Sequence, residues 1–219
     1  MPFHDRAEAG RKLAQALAAY KDRDPVVLAL PRGGVPVAAE IAAALAAPLD
    51  LILVRKVGAP GQPELAMGAV VDGDRPIVVR NDDVIEALGV SERQFEAACA
   101  RQLVEIERRR RRFLGDRRRA EIAGRAAIVV DDGVATGATA RAALRATRAR
   151  EPSELVLAVP VAARDTIDDL RGEADAIVCL ETPRNFGAVG FFYADFRQID
   201  DDEVAAILAR FPDGASKQA

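Results

Sequence analysis

Five short apolar runs constrain this chain more than any other feature. Residues 24–31 (DPVVLALP), 49–58 (LDLILVRKVG), 126–132 (AAIVVDD), 154–161 (ELVLAVPV) and 174–181 (ADAIVCLE) are rich in Val, Ile, Leu and Ala, with little polar interruption. A strand with one wet face alternates apolar and polar residues, whereas an unbroken run is buried on both faces. Helical patterns lie between and around these runs, at 5–20, 35–47, 137–150, 163–171 and 201–211. Strands alternating with helices predict an α/β fold, a parallel sheet with helices on both faces. Two further strands, 64–73 and 75–81, are expected to meet in a tight turn at Asp72, Gly73 and Asp74. Residues 91–113 read as a long amphipathic helix. Ser91 and Gln94 fit a capping box, and Phe95, Cys99, Leu103, Ile106 and Phe113 share one face. The expected organisation is one domain over residues 1–211, a helical insertion at 82–122 and a disordered tail at 212–219.

Composition narrows the chemistry. With 219 residues, a formal net charge of −3 and 5% aromatics without Trp, the chain is not a basic nucleic-acid binder or a base-stacking platform. One His and two Cys, Cys99 and Cys179, rule out zinc sites of the usual composition and make a His-based triad or a disulfide framework a poor fit. No run approaches the roughly 20 apolar residues that span a bilayer, and the N-terminus lacks a signal-peptide core, so a cytoplasmic protein is expected.

Parallel sheets bind ligands beyond the carboxyl ends of their strands, and three loops there carry chemistry. After the first run comes PRGGVP. Gly33 and Gly34 expose amides at a helix start, and Arg32 adds a planar cation suited to phosphate oxygens. The bland alternative is a plain strand-to-helix turn. After the second run, Arg55 and Lys56 lie at the same sheet end, ahead of a Gly- and Pro-rich stretch at 58–63 expected to be a mobile or extended loop. After the third comes IVVDDGVATGAT. Ala135, Thr136, Gly137, Ala138 and Thr139 present few side-chain atoms, so their amides can converge on one phosphate. Asp131 and Asp132 would repel that phosphate and so should meet something neutral or cationic beside it, such as vicinal sugar hydroxyls or a magnesium ion. Together these features suggest a sugar 5-phosphate. No GxxxxGK[ST] loop occurs, and no GxGxxG follows the first run.

IVVDDGVATGAT resembles the 5-phosphoribosyl 1-diphosphate (PRPP) motif of the type I phosphoribosyltransferases, and PRGG resembles that family's diphosphate loop. VRKVGAPGQPELAMGA and ETPRNFGAVGFFYADFRQI are similar to segments of a bacterial subgroup, so the likeness runs from about residue 5 to 211. It implies the type I phosphoribosyltransferase fold, with a small C-terminal hood, and a magnesium-dependent transfer of phosphoribosyl from PRPP to a nitrogenous base with release of diphosphate. It implies ribose contacts from Asp131 and Asp132, a 5-phosphate cup from Ala135 to Thr139, and diphosphate contacts from Arg32, Gly33, Gly34, Lys56 and Arg55. Asp131, Asp132 and Lys56 would be the catalytic set. Magnesium would be held chiefly by the substrate and water, with Asp131 or Asp132 as the contact from the chain. The family's diphosphate loop often carries a non-proline cis peptide, here Pro31–Arg32. Gly133 and Ala138 depart from the family pattern, which often has an apolar residue and a glycine at these positions.

Base recognition would fall to the hood, where Phe186, Phe191, Phe192 and Tyr193 can stack on a base or simply pack. The acceptor base is not readable. From Arg101 to Arg119 stand nine Arg against Glu105, Glu107 and Asp116. That helix reads as a solvated face, a hood over the active site or an RNA contact. The alternative function is a PRPP-sensing regulator that binds RNA or a protein partner with little catalysis. A homodimer is expected by analogy alone.

Overall fold

The computed structural model describes residues 2–73 and 76–212, without the side chain of Glu64; Asp74, in the expected tight turn, and the tail from residue 213 lie outside the described residues. The five apolar runs supply the centre: β1 (Pro25–Ala29), β2 (Leu49–Leu51), β6 (Ala126–Val130), β7 (Glu154–Val161) and β8 (Ala176–Glu181). They pair in parallel in the order β2-β1-β6-β7-β8. Alternate side chains of each inner strand enter different cores, which is why no polar residue interrupts them. Val27, Ala29, Ile128, Val130 and Val156 face the core containing Leu13 of α1 (Arg6–Ala16), Ile41 of α2 (Gly34–Leu45) and Val204 of α7 (Asp201–Leu208). Val26, Leu28, Val129, Leu155 and Leu157 face the core containing Leu144 of α5 (Ala138–Arg148) and Leu170 of α6 (Arg164–Leu170). The predicted α/β sheet with helices on both faces is therefore observed.

The run at 49–58 is not one strand. It leaves the parallel sheet after Leu51 and restarts as β3 (Val54–Ala59), which pairs antiparallel with β4 (Gln62–Val71), itself paired with β5 (Ile77–Arg80). Two buried acids redirect it. Asp50 accepts the amides of Leu51 and Ala120, each at 2.8 Å. Asp72 accepts the Leu53 amide at 2.9 Å and is held by Arg119 at 2.8 Å. The last bond to β1 runs from the Ile52 amide to the Ala29 carbonyl at 3.0 Å, and the next residue, Leu53, is engaged on both its amide and its carbonyl by Asp72. Apolar periodicity is blind to this, because the apolar run continues through the break from Leu51 by way of Ile52 and Leu53 to Val54. The stretch at 58–63 is also not a loose loop. Ala59 pairs with Gln62 across a two-residue turn at Pro60–Gly61, with Gly61 at φ +74°.

Helices α3 (Asp82–Ala87) and α4 (Glu92–Leu114) follow, and the Ser91–Gln94 capping box is present. Phe95, Cys99, Ile106 and Phe113 are buried along one stripe of α4, with Leu103 partly buried beside them. Beyond β8 a hood segment contains a 3₁₀ turn at Val189–Phe192, and the N-terminal segment laces it down. The Phe3 amide donates to the Phe192 carbonyl, and the Ala194 amide to that of Phe3, both at 2.8 Å. Among the described residues no helix is long and apolar enough to cross a membrane.

Candidate active site

Strands β1 and β6 are neighbours in register, Ala29 beside Val130, so the loops that follow them start at the same sheet edge. The first loop passes through a cis peptide at Pro31–Arg32 and enters α2, with Gly33 as N-cap. Its glycines are dictated by the second loop. A Cβ on Gly33 would lie 2.0 Å from Asp132 Oδ2, and one on Gly34 would lie 2.7 Å from the Val130 carbonyl and 3.0 Å from Asp131 Cα. The glycine pair and the acidic pair thus form one packed wall.

Within the wall, Asp131 Oδ1 accepts the Asp132 amide at 2.9 Å. Asp132 Oδ2 accepts Arg6 Nε at 2.7 Å, and its carbonyl accepts the Tyr193 hydroxyl at 2.6 Å. Arg6 is itself almost buried. It donates to the Arg197 carbonyl at 2.9 Å and lies over the Phe196 ring, 3.9 Å from its centroid. Burial, and then the neighbouring Asp132 charge, push the Asp131 carboxyl well above the ordinary carboxylate range. Burial also raises Asp132, opposed by the Arg6 guanidinium. Burial likewise raises the Tyr193 phenol, with the Asp132 charge adding to it.

The continuation of the second loop is open. Val134 is buried and bridged to Ala162, and the Ala135 carbonyl accepts the Thr166 hydroxyl at 2.6 Å. Ala135, Thr136, Ala138 and Thr139 are exposed around the first turn of α5, and Gly137 is its N-cap at φ +75°. The first amides of a helix have no partner within it, and they favour an anion. Gly133, a departure from the family pattern, is explained by the hood: a Cβ there would sit 2.5 Å from Val189 Cγ1.

Cations surround this edge. Arg32 lies 3.7 Å from Asp201 at the start of α7. Arg55 donates through Nε to Gln102 of α4 at 3.1 Å, and with Pro31, Arg109 and Thr139 it lines a cavity of about 30 Å³. Lys56, next on β3, lines a cleft of about 530 Å³ together with Thr136 and Thr139. Phe186 belongs to a different neighbourhood. It stacks on Phe192 at 5.5 Å in the hood, while Tyr193 is buried beneath. Phe191 is the most exposed of the hood aromatics, at 77%, with Phe196 exposed at 38%.

Sequence reasoning missed Arg6 and the Tyr193 hydroxyl bond. Arg6 sits in the first turn of an ordinary amphipathic helix 126 positions from Asp132, and nothing local distinguishes it. The arginine run is largely paired within the molecule: Arg108 and Arg109 with Glu105, Arg111 with Glu107, Arg112 with Asp202. Hydrogen bonds from Arg108 and Arg109 hold the Glu105 carboxyl at about 2. Arg117 instead caps the end of α7 through the Leu208 and Phe211 carbonyls, each at 2.8 Å.

Comparison with known proteins bears on the family and the fold. The family model described as phosphoribosyl transferase domain matches residues 4–197. Two Mycobacterium tuberculosis proteins, from strains CDC 1551 / Oshkosh and H37Rv, are 50% identical over 208 residues and carry the provisional name phosphoribosyl transferase. The match takes in 95% of this chain and 46% of theirs, so the chain spans about half the length of these curated relatives. The crystal structure of TT1426 from Thermus thermophilus superimposes with a TM-score of 0.84 at 43% identity, covering 97% of this chain and all of that one. With the family model covering most of its length, the chain belongs to the phosphoribosyltransferase family.

Proposed function

We propose that the chain transfers the 5-phosphoribosyl group of PRPP to a nitrogenous base and releases diphosphate, with magnesium. The observation that carries this reading is the placement of the Arg32–Gly34 turn and the acidic turn with its open cup on adjacent parallel strands. One edge thereby offers sites for a diphosphate, a sugar diol and a terminal phosphate. In the reaction the lone pair of a base nitrogen forms the new bond to C1 of the ribose. The C1–O bond breaks with its electron pair leaving on the diphosphate, and the displaced base proton passes to solvent. Positive charge grows on the ribose and negative charge on the leaving group, so the protein's contribution is position and electrostatics.

The roles follow from placement. The first-turn amides of α5, with Thr136 and Thr139, hold the 5-phosphate. Asp131 and Asp132 accept from the ribose hydroxyls. Arg6 is a positioning residue: it fixes Asp132 from behind, leaving the second carboxylate oxygen to the sugar. Arg32 and the amides of Gly33 and Gly34 hold the diphosphate, and Lys56 and Arg55 add charge from β3. Among the described residues no group of three or more His, Cys, Asp or Glu could hold a metal by itself. Magnesium would be bound mostly by substrate oxygens and water, with Asp131 or Asp132 as the contact from the chain. Bound there, magnesium would neutralise part of the diphosphate charge. Phe186 on the hood, stacked on Phe192, with the exposed Phe191 nearby in sequence, would meet the acceptor base.

The regulator reading would need the arginines at 108–112 as a free patch, and their ion pairs with Glu105, Glu107 and Asp202 leave it the less supported of the two. A panel of nucleobases incubated with PRPP and magnesium, followed by diphosphate release, separates them. Turnover with at least one base is expected. PRPP binding without turnover of any base would transfer the site to a sensing role.

A further inference from the structure

We infer that the cleft between α5 and the β3–β5 sheet binds the polyphosphate tail of a nucleoside 5′-polyphosphate whose first phosphate occupies the cup at 135–139. The inference rests on the assignment of that cup under the proposed function, and extends it to a ligand class.

The cleft measures about 530 Å³, within the range of small-molecule sites and far larger than a single phosphate requires. It begins at Thr136 and Thr139 and follows one flank of α5 through Ala138, Arg141, Ala142 and Arg145, positions spaced as a helix spaces a face. Four cations line it, Lys56, Arg80, Arg141 and Arg145, against one acid, Asp169. Asp82, Glu92 and Glu173, the acids that pair with Arg80 and Arg145, are not among the lining residues, so the wall of the cleft itself presents cations, which suits a polyanion.

The guanidiniums there are held in place but not exhausted. Glu173 engages Nε and Nη2 of Arg145, and Asp82 and Glu92 engage Arg80. Each guanidinium carries five N–H donors, so these bonds orient the fork and leave donors over. Arg141 is less satisfied still. Its buried Nε has no hydrogen-bond partner, and Glu173 lies 3.8 Å away, beyond hydrogen-bonding reach. The Arg141 side chain is 38% exposed where it lines the cleft, so this guanidinium can still donate to an anion that enters.

The geometry selects the ligand. A mononucleotide formed at this site would keep its ribose on Asp131 and Asp132 and its 5-phosphate in the cup. Further phosphates added to that group would continue into the cleft, toward Arg141 and Arg145. Compounds of that kind arise when kinase-type reactions phosphorylate the mononucleotide product, so a downstream product would compete with PRPP for the ribose and cup positions.

Calorimetric titration of the full chain with magnesium present tests this, using four nucleoside triphosphates, their monophosphates, tripolyphosphate and inorganic phosphate. At least one triphosphate is expected to bind about tenfold more tightly than its monophosphate and to be displaced by PRPP. Arg141→Ala should remove that advantage while PRPP affinity stays as in the unaltered chain. Arg145→Gln, read by the same ratio, covers the case in which the first variant folds poorly. Equal binding of mono- and triphosphates would overturn the inference, as would an advantage that survives both substitutions. So would tripolyphosphate binding tightly without displacement by PRPP, which would make the cleft a separate polyphosphate site. Failure of PRPP itself to bind would instead sink the proposed function, and so is distinguishable.

Discussion

The two turns at the active edge are built on opposite plans. The wall formed by Gly33, Gly34, Asp131 and Asp132 is packed so closely that a single methyl group on either glycine overlaps its neighbours. The cup a few residues later leaves Ala135, Thr136, Ala138 and Thr139 exposed, with only Gly137 confined by its backbone. In the wall, glycine is required because the Asp132 side chain, at Gly33, and the backbone of Val130 and Asp131, at Gly34, occupy the space a Cβ would take. In the cup, on the proposed function, small residues leave the amides open to a phosphate. The same composition thus serves packing in one turn and access in the other, and substitutions should separate the two.

The largest effect should come from behind the wall. Arg6 and Asp132 form an ion pair with side chains only 9% and 14% exposed, and removing one partner of such a pair leaves a poorly solvated charge. Arg6→Ala should lower stability by about 3 kcal/mol by chemical denaturation, and should raise KM for PRPP. If it left the denaturation midpoint untouched, the wall would be held by something other than this pair.

Gly34→Ala should come next. Its Cβ would meet the Val130 carbonyl and Asp131 Cα, backbone atoms of a central strand that cannot step aside. A loss of about 2 kcal/mol is expected, as for overpacking elsewhere. Gly33→Ala meets a side chain instead, but one anchored by Arg6; combining it with Arg6→Ala should therefore cost less than the sum of the single changes.

Asp131→Asn should be smaller and opposite in sign. The native carboxyl has a folded-state pKa raised by burial and by Asp132. Such a group contributes stability that is fully present below the unfolded carboxylate pKa of about 4 and is lost as pH rises through the folded value. Replacing it should raise Tm at neutral pH, with the gain closing on acidification toward about pH 4, while PRPP turnover falls. A variant no more stable than the parent at pH 7 would mean that the acid is not held against its preference.

The sequence made the sheet legible because strands buried on both faces leave unbroken apolar runs, and it made the cup legible because IVVDDGVATGAT packs strand end, acids and helix start into one segment. What stayed hidden depended on distance along the chain. Arg6 and Tyr193 reach Asp132 from the two ends of the chain, and Asp72 and Arg119 redirect the run at 49–58 from outside it. A buried ion pair has no periodicity to betray it. Gly133 was visible as a departure, but its reason, the Val189 side chain, exists only once the hood has folded over it.

The smallest effect on folding should come from the cup, and it tests the contrast most directly. Thr136 and Thr139 are exposed, so Thr136→Ala and Thr139→Ala should each stay within about 0.5 kcal/mol of the parent in stability. On the proposed function each hydroxyl gives one hydrogen bond to a charged phosphate, so either change should weaken PRPP binding by about tenfold while the urea midpoint stays fixed. Wall variants should move both quantities together; cup variants should move affinity alone. If Thr136→Ala unfolded the chain as readily as Gly34→Ala, the cup would be a second packed wall, and its exposed amides would need a different explanation from phosphate capture.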